Sequence, residues 1–159
     1  MLLELAARLP RRSLAAGEVL IAEGDAGGLL FILLDGTLRV EKGGAAIAAI
    51  SETGVCVGEM SILLDVPATA DVVAAEASTV AVVEDAARAL ADQPELALAL
   101  AQLLAARVQR MTTYLADLQH QYADHEGGLG MVDVVLGSLM HASHSRSELG
   151  SERDPHPEY

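Results

Sequence analysis

The sequence predicts a mainly β domain of sandwich, roll or barrel type, flanked by short helices and followed by one long helix. Three observations carry that expectation. From about Gly17 to Glu84, turn signals recur at short intervals: Ala16-Gly17, Glu23-Gly24-Asp25, Gly27-Gly28, Asp35-Gly36, Gly43-Gly44 and Gly54. Between them lie brief apolar, β-forming runs, the punctuation of an all-β architecture. After Glu84 the punctuation thins, and from Glu95 to about Tyr122 strong helix formers run without Gly or Pro.

Taken in order, the opening MLLELAARLPRRS carries Glu4 and Arg8 inside its apolar stretch and has no basic region ahead of it. It reads as a short amphipathic helix with Leu2, Leu5, Ala6 and Leu9 on one face, rather than a signal peptide. The β-type runs are VLIAE, LLFILL, TLRVEK, AAIAAI, VVAAEA and TVAVVE. Within LLFILLDGTLRVEK, Asp35-Gly36 reads as a two-residue hairpin turn joining two paired strands. On the second of them, Leu38 and Val40 alternate with Thr37, Arg39 and Glu41, so one face is expected to be wet.

The stretch VGEMSILLDVPATADVV, residues 57–73, has another character. Gly58 and Glu59 open a short apolar turn of helix, Pro67 closes a loop, and a β-rich run follows. A helix N-terminus offers free backbone N–H groups and positive dipole density, which suits a small anionic ligand. No cation lies between Gly58 and Val73, however, and Asp71 adds a negative charge.

Asp85 to Asp92 is Ala-rich and reads as a short helix stopped near Pro94, which is well placed as the first residue of the long helix. In that helix Leu104, Val108, Met111, Leu115, Leu118 and Tyr122 follow one another at spacings close to a coiled-coil seam. The first turns are expected to dock on the β-core and the 104–122 seam to pair with a second copy, giving a homodimer, since the seam would otherwise be exposed. Asp124-His125-Glu126-Gly127-Gly128 breaks the helix. MVDVVLGSLMHAS then offers Val132, Val135, Leu136 and Leu139 on one helical face, before a polar tail. The expected division is a domain over 1–122 and an appendage over 123–159.

Composition narrows the function. The 159 residues suffice for one domain with its own core, and no apolar run approaches the roughly 18 residues of a membrane span. The single Cys56 rules out an internal disulfide, fits a reducing cytoplasm and reads as a buried small hydrophobe. The net charge is −13, and the ten Lys and Arg are dispersed from Arg8 to Arg153. A nucleic-acid backbone is gripped by clustered cations, so direct DNA binding is not expected. The first histidine is His120, beyond the whole β region, which excludes a His-ligated metal inside it. The pairs His120 with Asp124 and His141 with His144 read as surface residues. Cys56 and every His come from different layers, so no catalytic arrangement can be built and the chain reads as no enzyme.

The order of these features resembles the cyclic nucleotide-binding domain, the sensor module of the catabolite activator protein and of cyclic nucleotide-regulated kinases and channels. The resemblance covers roughly residues 1 to 120. It implies a β-roll of double-stranded β-helix or jelly-roll-like form, a regulatory role in signalling, and cyclic AMP or cyclic GMP as the ligand. The family's phosphate-binding cassette, F-G-E-x-[AS]-L-L followed by P-R-x-A-x-V, is matched by Val57-Gly58-Glu59-Met60-Ser61-Ile62-Leu63, then Leu64-Asp65-Val66, then Pro67-Ala68-Thr69-Ala70-Asp71-Val72. By that resemblance Gly58 lets the backbone approach the ligand and Glu59 accepts the ribose 2′-hydroxyl. Ser61 and Thr69 offer hydroxyls to a phosphate, and Thr112 and Thr113 lie on a lid helix where a hydroxyl caps the purine.

Plainer readings stand beside these: Glu59 as a first-turn helix charge, Ser61 and Thr69 as local caps, Thr112 and Thr113 as surface threonines. Ile62, Leu63 and Val72 read as core. The sequence departs from the family at Ala68, where an arginine usually forks onto the exocyclic phosphate. A charge-assisted bond of that kind contributes roughly 1.5–3 kcal/mol, so its loss weakens binding by about one to two decades. Arg39, Arg107 and Arg110 are the cations available to replace it, and the sequence places none of them at the cassette. No winged helix-turn-helix, kinase, channel or cyclase segment is visible. The chain therefore reads as a stand-alone, non-catalytic sensor domain with an incomplete cassette. The alternative is a dimeric interaction scaffold for an unknown protein partner that binds no nucleotide.

Overall fold

The apolar runs become strands and the Ala-rich stretches become helices in a computed structural model of the chain, which describes residues 2–122. Helix α1 (Leu2–Ala6) precedes β1 (Arg11–Leu14), β2 (Val19–Ile21), β3 (Leu30–Asp35), β4 (Leu38–Lys42), β5 (Ala45–Ile50) and β6 (Cys56–Val57). Helix α2 (Glu59–Leu64), β7 (Asp71–Ala74) and β8 (Ser78–Val83) follow, then α3 (Ala86–Asp92) and α4 (Pro94–Tyr122). The strands form two antiparallel sheets of four, ordered β1-β8-β3-β6 and β2-β7-β4-β5. This is the expected β-roll with flanking helices and a long C-terminal helix.

Two apolar clusters hold it together. Leu14, Leu20, Phe31, Leu33, Leu38, Val57, Val72, Ala74 and Val80 fill the space between the sheets. On the other face of the first sheet, Leu30, Ile32, Cys56, Ala81 and Val83 meet Ala6 of α1, Ala86 of α3, and Leu96 and Leu100 of α4. Alternate residues of β3 and β8 serve the two clusters, as the two-residue period of a strand requires. Cys56 is fully buried in the second cluster, as its apolar neighbours suggested. Leu2, Leu5 and Leu9 pack partly on the same cluster, so the N-terminal amphipathic face is used as its pattern implies.

The Asp35-Gly36 hairpin is not formed. β3 pairs with β6 and β8, whereas β4 pairs with β5 and β7, so the chain changes sheets between Asp35 and Leu38. Gly36 makes the crossing at φ +94°, and a Cβ there would lie 2.2 Å from Ser78 Oγ and 2.7 Å from the Ala77 carbonyl oxygen. Ser78 pins the corner from the other side: its Oγ accepts from the Thr37 N–H at 3.1 Å and donates to the Glu76 carbonyl at 2.8 Å. The tight hairpin lies one connection later, where Gly43-Gly44, both at positive φ, joins β4 to β5 with Lys42 opposite Ala45.

Pro94 is the first residue of α4. Leu96, Ala99 and Leu100 are its buried residues, one stripe against the helix-side cluster, with Leu103 and Leu104 partly covered. The chain divides into two compact units, 1–105 and 106–159. In the second, Val108, Met111 and Tyr122 of the seam are exposed, whereas Leu115 and Leu118 are half-buried. The expected boundary between 122 and 123 falls at the limit of the described residues, and the 129–141 helix and the tail lie outside them. No helix among the described residues is long and apolar enough to cross a membrane.

Two contrasts test this packing. Gly36→Ala combines a left-handed backbone with backbone overlap and is expected to destabilise by on the order of 2 kcal/mol or more. Gly17→Ala, at φ +83° with nothing within 4 Å, meets only the conformational term, about 1–2 kcal/mol. Leu100→Ala removes a side chain 2 % exposed and is expected to lose about 2–5 kcal/mol. Leu98→Ala, two positions away and 56 % exposed, stays within about 0.5 kcal/mol. Chemical denaturation of the four variants reads both pairs.

Candidate functional site

The 57–73 stretch folds against the loop between β2 and β3, and its glycine explains why. Gly58 has φ +92°, and a Cβ there would lie 2.6 Å from the Leu29 carbonyl oxygen. The glycine is thus required by packing against the start of β3, apart from any ligand. Helix α2 has only six residues and no side-chain cap at its N-terminus, so little dipole accumulates along it. Glu59, its first residue, is 4 % exposed and has an interaction partner within the protein.

Backbone hydrogen bonds stitch the cassette loop to the β2–β3 turn. The Gly24 N–H donates to the Ala68 carbonyl at 2.7 Å, and the Ala68 N–H donates to the Asp25 carbonyl at 2.9 Å. The Asp71 carboxylate accepts from the Glu23 N–H at 2.6 Å, which gives its negative charge a structural partner. Asp25 Oδ2 accepts from the Ala22 N–H at 3.0 Å, closing the turn locally. Further on, a Cβ on Gly27 would lie 2.8 Å from Ser61 Cβ, so the turn runs directly against α2.

These contacts frame a cleft of about 280 Å³. Leu20, Ile21, Leu29 and Phe31 supply apolar lining, and Gly27, Gly58, Ser61 and Ala68 supply small or hydroxyl-bearing lining. Two charged residues also line it, Arg12 and Asp25. Arg12 comes from β1, where it is paired with Val80 while Arg11 is paired with Ala81. Directly opposed residues of an antiparallel pair share a face, and Val80 belongs to the inter-sheet cluster. Arg12 therefore stands on the inner face of its sheet, next in line after Leu14. Its Nη2 lies 3.5 Å from Glu18 Oε1, with the two side chains 43 % and 41 % exposed.

Of the residues that the sequence singled out, the structure brings Gly58, Ser61 and Ala68 together around the cleft. Glu59 is buried, while Met60 and Thr69 are exposed, and none of these three lines it. Leu63, expected in the core, is 50 % exposed, because so short a helix turns only Ile62 onto the helix-side cluster. Val72 is buried between the sheets as expected. Arg39 is ion-paired with Glu41 on its own strand. Thr112 and Thr113 donate to the carbonyls of Val108 and Gln109 one turn back along α4. Arg107 and Arg110 lie, like these threonines, in the second unit. Arg12 is the functional candidate that sequence reasoning missed. RRSL offers one apolar residue, too few to reveal a strand, and only the strand register places Arg12 inside the roll.

The cyclic nucleotide-binding domain profile matches residues 11–92, a little over half of the chain. The chain is similar to the N-terminal domain of a transcriptional regulator from Streptomyces coelicolor A3(2), with 27 % identity and a TM-score of 0.52 over 69 % of this chain and 82 % of that one. It is similar at 25 % identity to PKAR CBD2 solved with Sp-2Cl-cAMPS bound, with a TM-score of 0.55 over 72 % of this chain and 75 % of that one. The Thermus thermophilus catabolite activator protein shares the fold, at 22 % identity and a TM-score of 0.59 over 94 % of this chain and 86 % of that one. No curated protein matches the chain.

The stitching yields a local prediction. Asp71→Ala removes the acceptor of the Glu23 N–H and is expected to lower stability by about 1 kcal/mol. Hydrogen exchange at the Gly24 and Ala68 amides should accelerate while Val80 stays protected. Uniform acceleration across all three would show that Asp71 supports the whole roll rather than the loop.

Proposed function

Because the chain belongs to the cyclic nucleotide-binding domain family, we propose that it is a non-catalytic regulatory sensor with a degenerate phosphate cassette, which binds cyclic AMP or cyclic GMP weakly or in an altered pose. The observation that carries this reading is Ala68. It lines the cleft beside Gly58 and Ser61, at the position where the family's pattern has arginine, so a methyl group stands where a guanidinium would meet the phosphate. The cleft volume of about 280 Å³ falls just under the roughly 300–1,000 Å³ usual for small-molecule sites. That size is consistent with a small ligand held by few contacts.

Regulation follows from differential affinity. A ligand seated against α2 and the stitched loops favours whichever arrangement of them it contacts best, and shifts the population accordingly. The exposed seam residues Val108 and Met111 support a homodimer formed through 104–122, which would carry that shift to a second copy. The buried Cys56 side chain, which is in no disulfide, is compatible with a cytoplasmic setting.

Calorimetric titration with cyclic AMP and cyclic GMP tests the ligand. The expected result is measurable but weak binding by the native chain and a gain of about one to two decades in Ala68→Arg, from the restored charge-assisted bond. Silence in both proteins would remove the nucleotide reading and leave the dimeric scaffold. Sedimentation velocity tests the assembly: Val108→Glu with Met111→Glu should convert a dimer to monomer, and a native chain that already sediments as a monomer refutes the pairing.

A further inference from the structure

Building on the nucleotide-binding reading, we propose that Arg12 is the residue through which this cleft holds an anion, in place of the arginine absent at Ala68. Arg12 is the cation among the residues that line the cleft. The β1–β8 register sets it on the inner face of the sheet opposite Val80, beyond Leu14, the last inner-face side chain of β1 that packs in the inter-sheet cluster. A charged side chain in that place lines the cleft, whereas Arg11, opposite Ala81, belongs to the other face of the sheet.

Its present partner is easily exchanged. Glu18 meets Arg12 at a single 3.5 Å contact, and both side chains are about two-fifths exposed, the setting in which an ion pair contributes little. Glu18 also has a second tie, accepting from the Ala15 N–H at 3.0 Å, so its position does not depend on Arg12. A phosphodiester offers two oxygens to the planar guanidinium fork, a better match than one carboxylate oxygen at long range. Glu18 thus acts as an internal competitor, occupying the guanidinium until a ligand anion takes it. Asp25 is the opposing charge in the cleft, and its carboxylate is engaged by the Ala22 N–H. An anion is therefore held toward Arg12 and away from the β2–β3 turn.

The test compares Arg12→Gln and Glu18→Gln, which break the same ion pair, by titrating the 159-residue chain with cyclic AMP, cyclic GMP and adenosine. Arg12→Gln is expected to weaken the nucleotide by about tenfold or more and to leave adenosine unchanged. Glu18→Gln is expected to tighten the nucleotide by up to about fivefold, with Arg12→Lys intermediate because an ammonium lacks the fork. Opposite signs from the two variants establish recognition by Arg12. Equal losses from both would assign the pair a structural role and overturn the proposal, as would native affinity in Arg12→Gln. If the native chain and Ala68→Arg bind no nucleotide, the underlying reading fails as well; if they bind and Arg12→Gln binds equally, only the Arg12 assignment falls. Thermal unfolding of each variant separates a lost contact from a lost fold.

Discussion

The structure depends on β3 being buried on both faces. Leu30 and Ile32 face the helices while Phe31 and Leu33 face the opposite sheet, and none of the four is more than 3 % exposed. Burying each such side chain favours folding by roughly 1.5–3 kcal/mol, and both layers take that stabilisation from one strand. β8 and β6 occupy its two edges. The chain beyond β3 therefore cannot fold back to pair with it; β4 lies in the other sheet, and Gly36 with Ser78 forms the crossing. At the other end, the Leu29 carbonyl is the surface on which Gly58 rests. A single buried strand thus fixes both the corner of the roll and one wall of the cleft.

The cleft itself is kept by polar contacts rather than by apolar packing. The backbone bonds between Gly24, Asp25 and Ala68, with the Asp71 carboxylate on Glu23, join segments more than 40 residues apart in sequence. Polar backbone groups in such loops need partners, and here each loop supplies the other's. The glycines at 27 and 58 remove the side chains that would push α2 away. Asp71, which in the bare sequence looks hostile to an anion, belongs to this scaffolding.

Most of the fold was legible because its strands carry clear apolar runs and its turns carry glycine. AAIAAI and TVAVVE fall within one residue of β5 and β8, and Pro94 opens α4. The error at Asp35-Gly36 is instructive. That dipeptide favours a hairpin locally, but LLFILL has no polar position, the pattern of a strand covered on both sides. Such a strand is central in its sheet, and here β8 and β6 take its two edges and leave none for β4. The site was legible in part. Gly58, Ser61 and Ala68 are contiguous enough to be read as a motif, whereas Arg12 reaches the cleft only through the pairing of β1 with β8. Two residues of β6 and one apolar residue in β1 are too little signal for periodicity to register.

The position of the cation matters beyond affinity. The chain carries a net charge of −13, so its overall field discourages anions, and screening confines that field to about 8 Å at physiological ionic strength. Local contacts in the cleft must then decide whether an anion stays. An arginine at position 68 would hold the phosphate from the cassette loop, the segment joined to α2. Arg12 would hold it from a strand hydrogen-bonded along its length to β8, in the sheet that carries both cores. A ligand anchored to that frame would meet the cassette through Gly58, Ser61 and Ala68, none of which carries a charge. Moving the cation from loop to sheet would therefore separate how tightly a ligand is held from how strongly its arrival displaces α2.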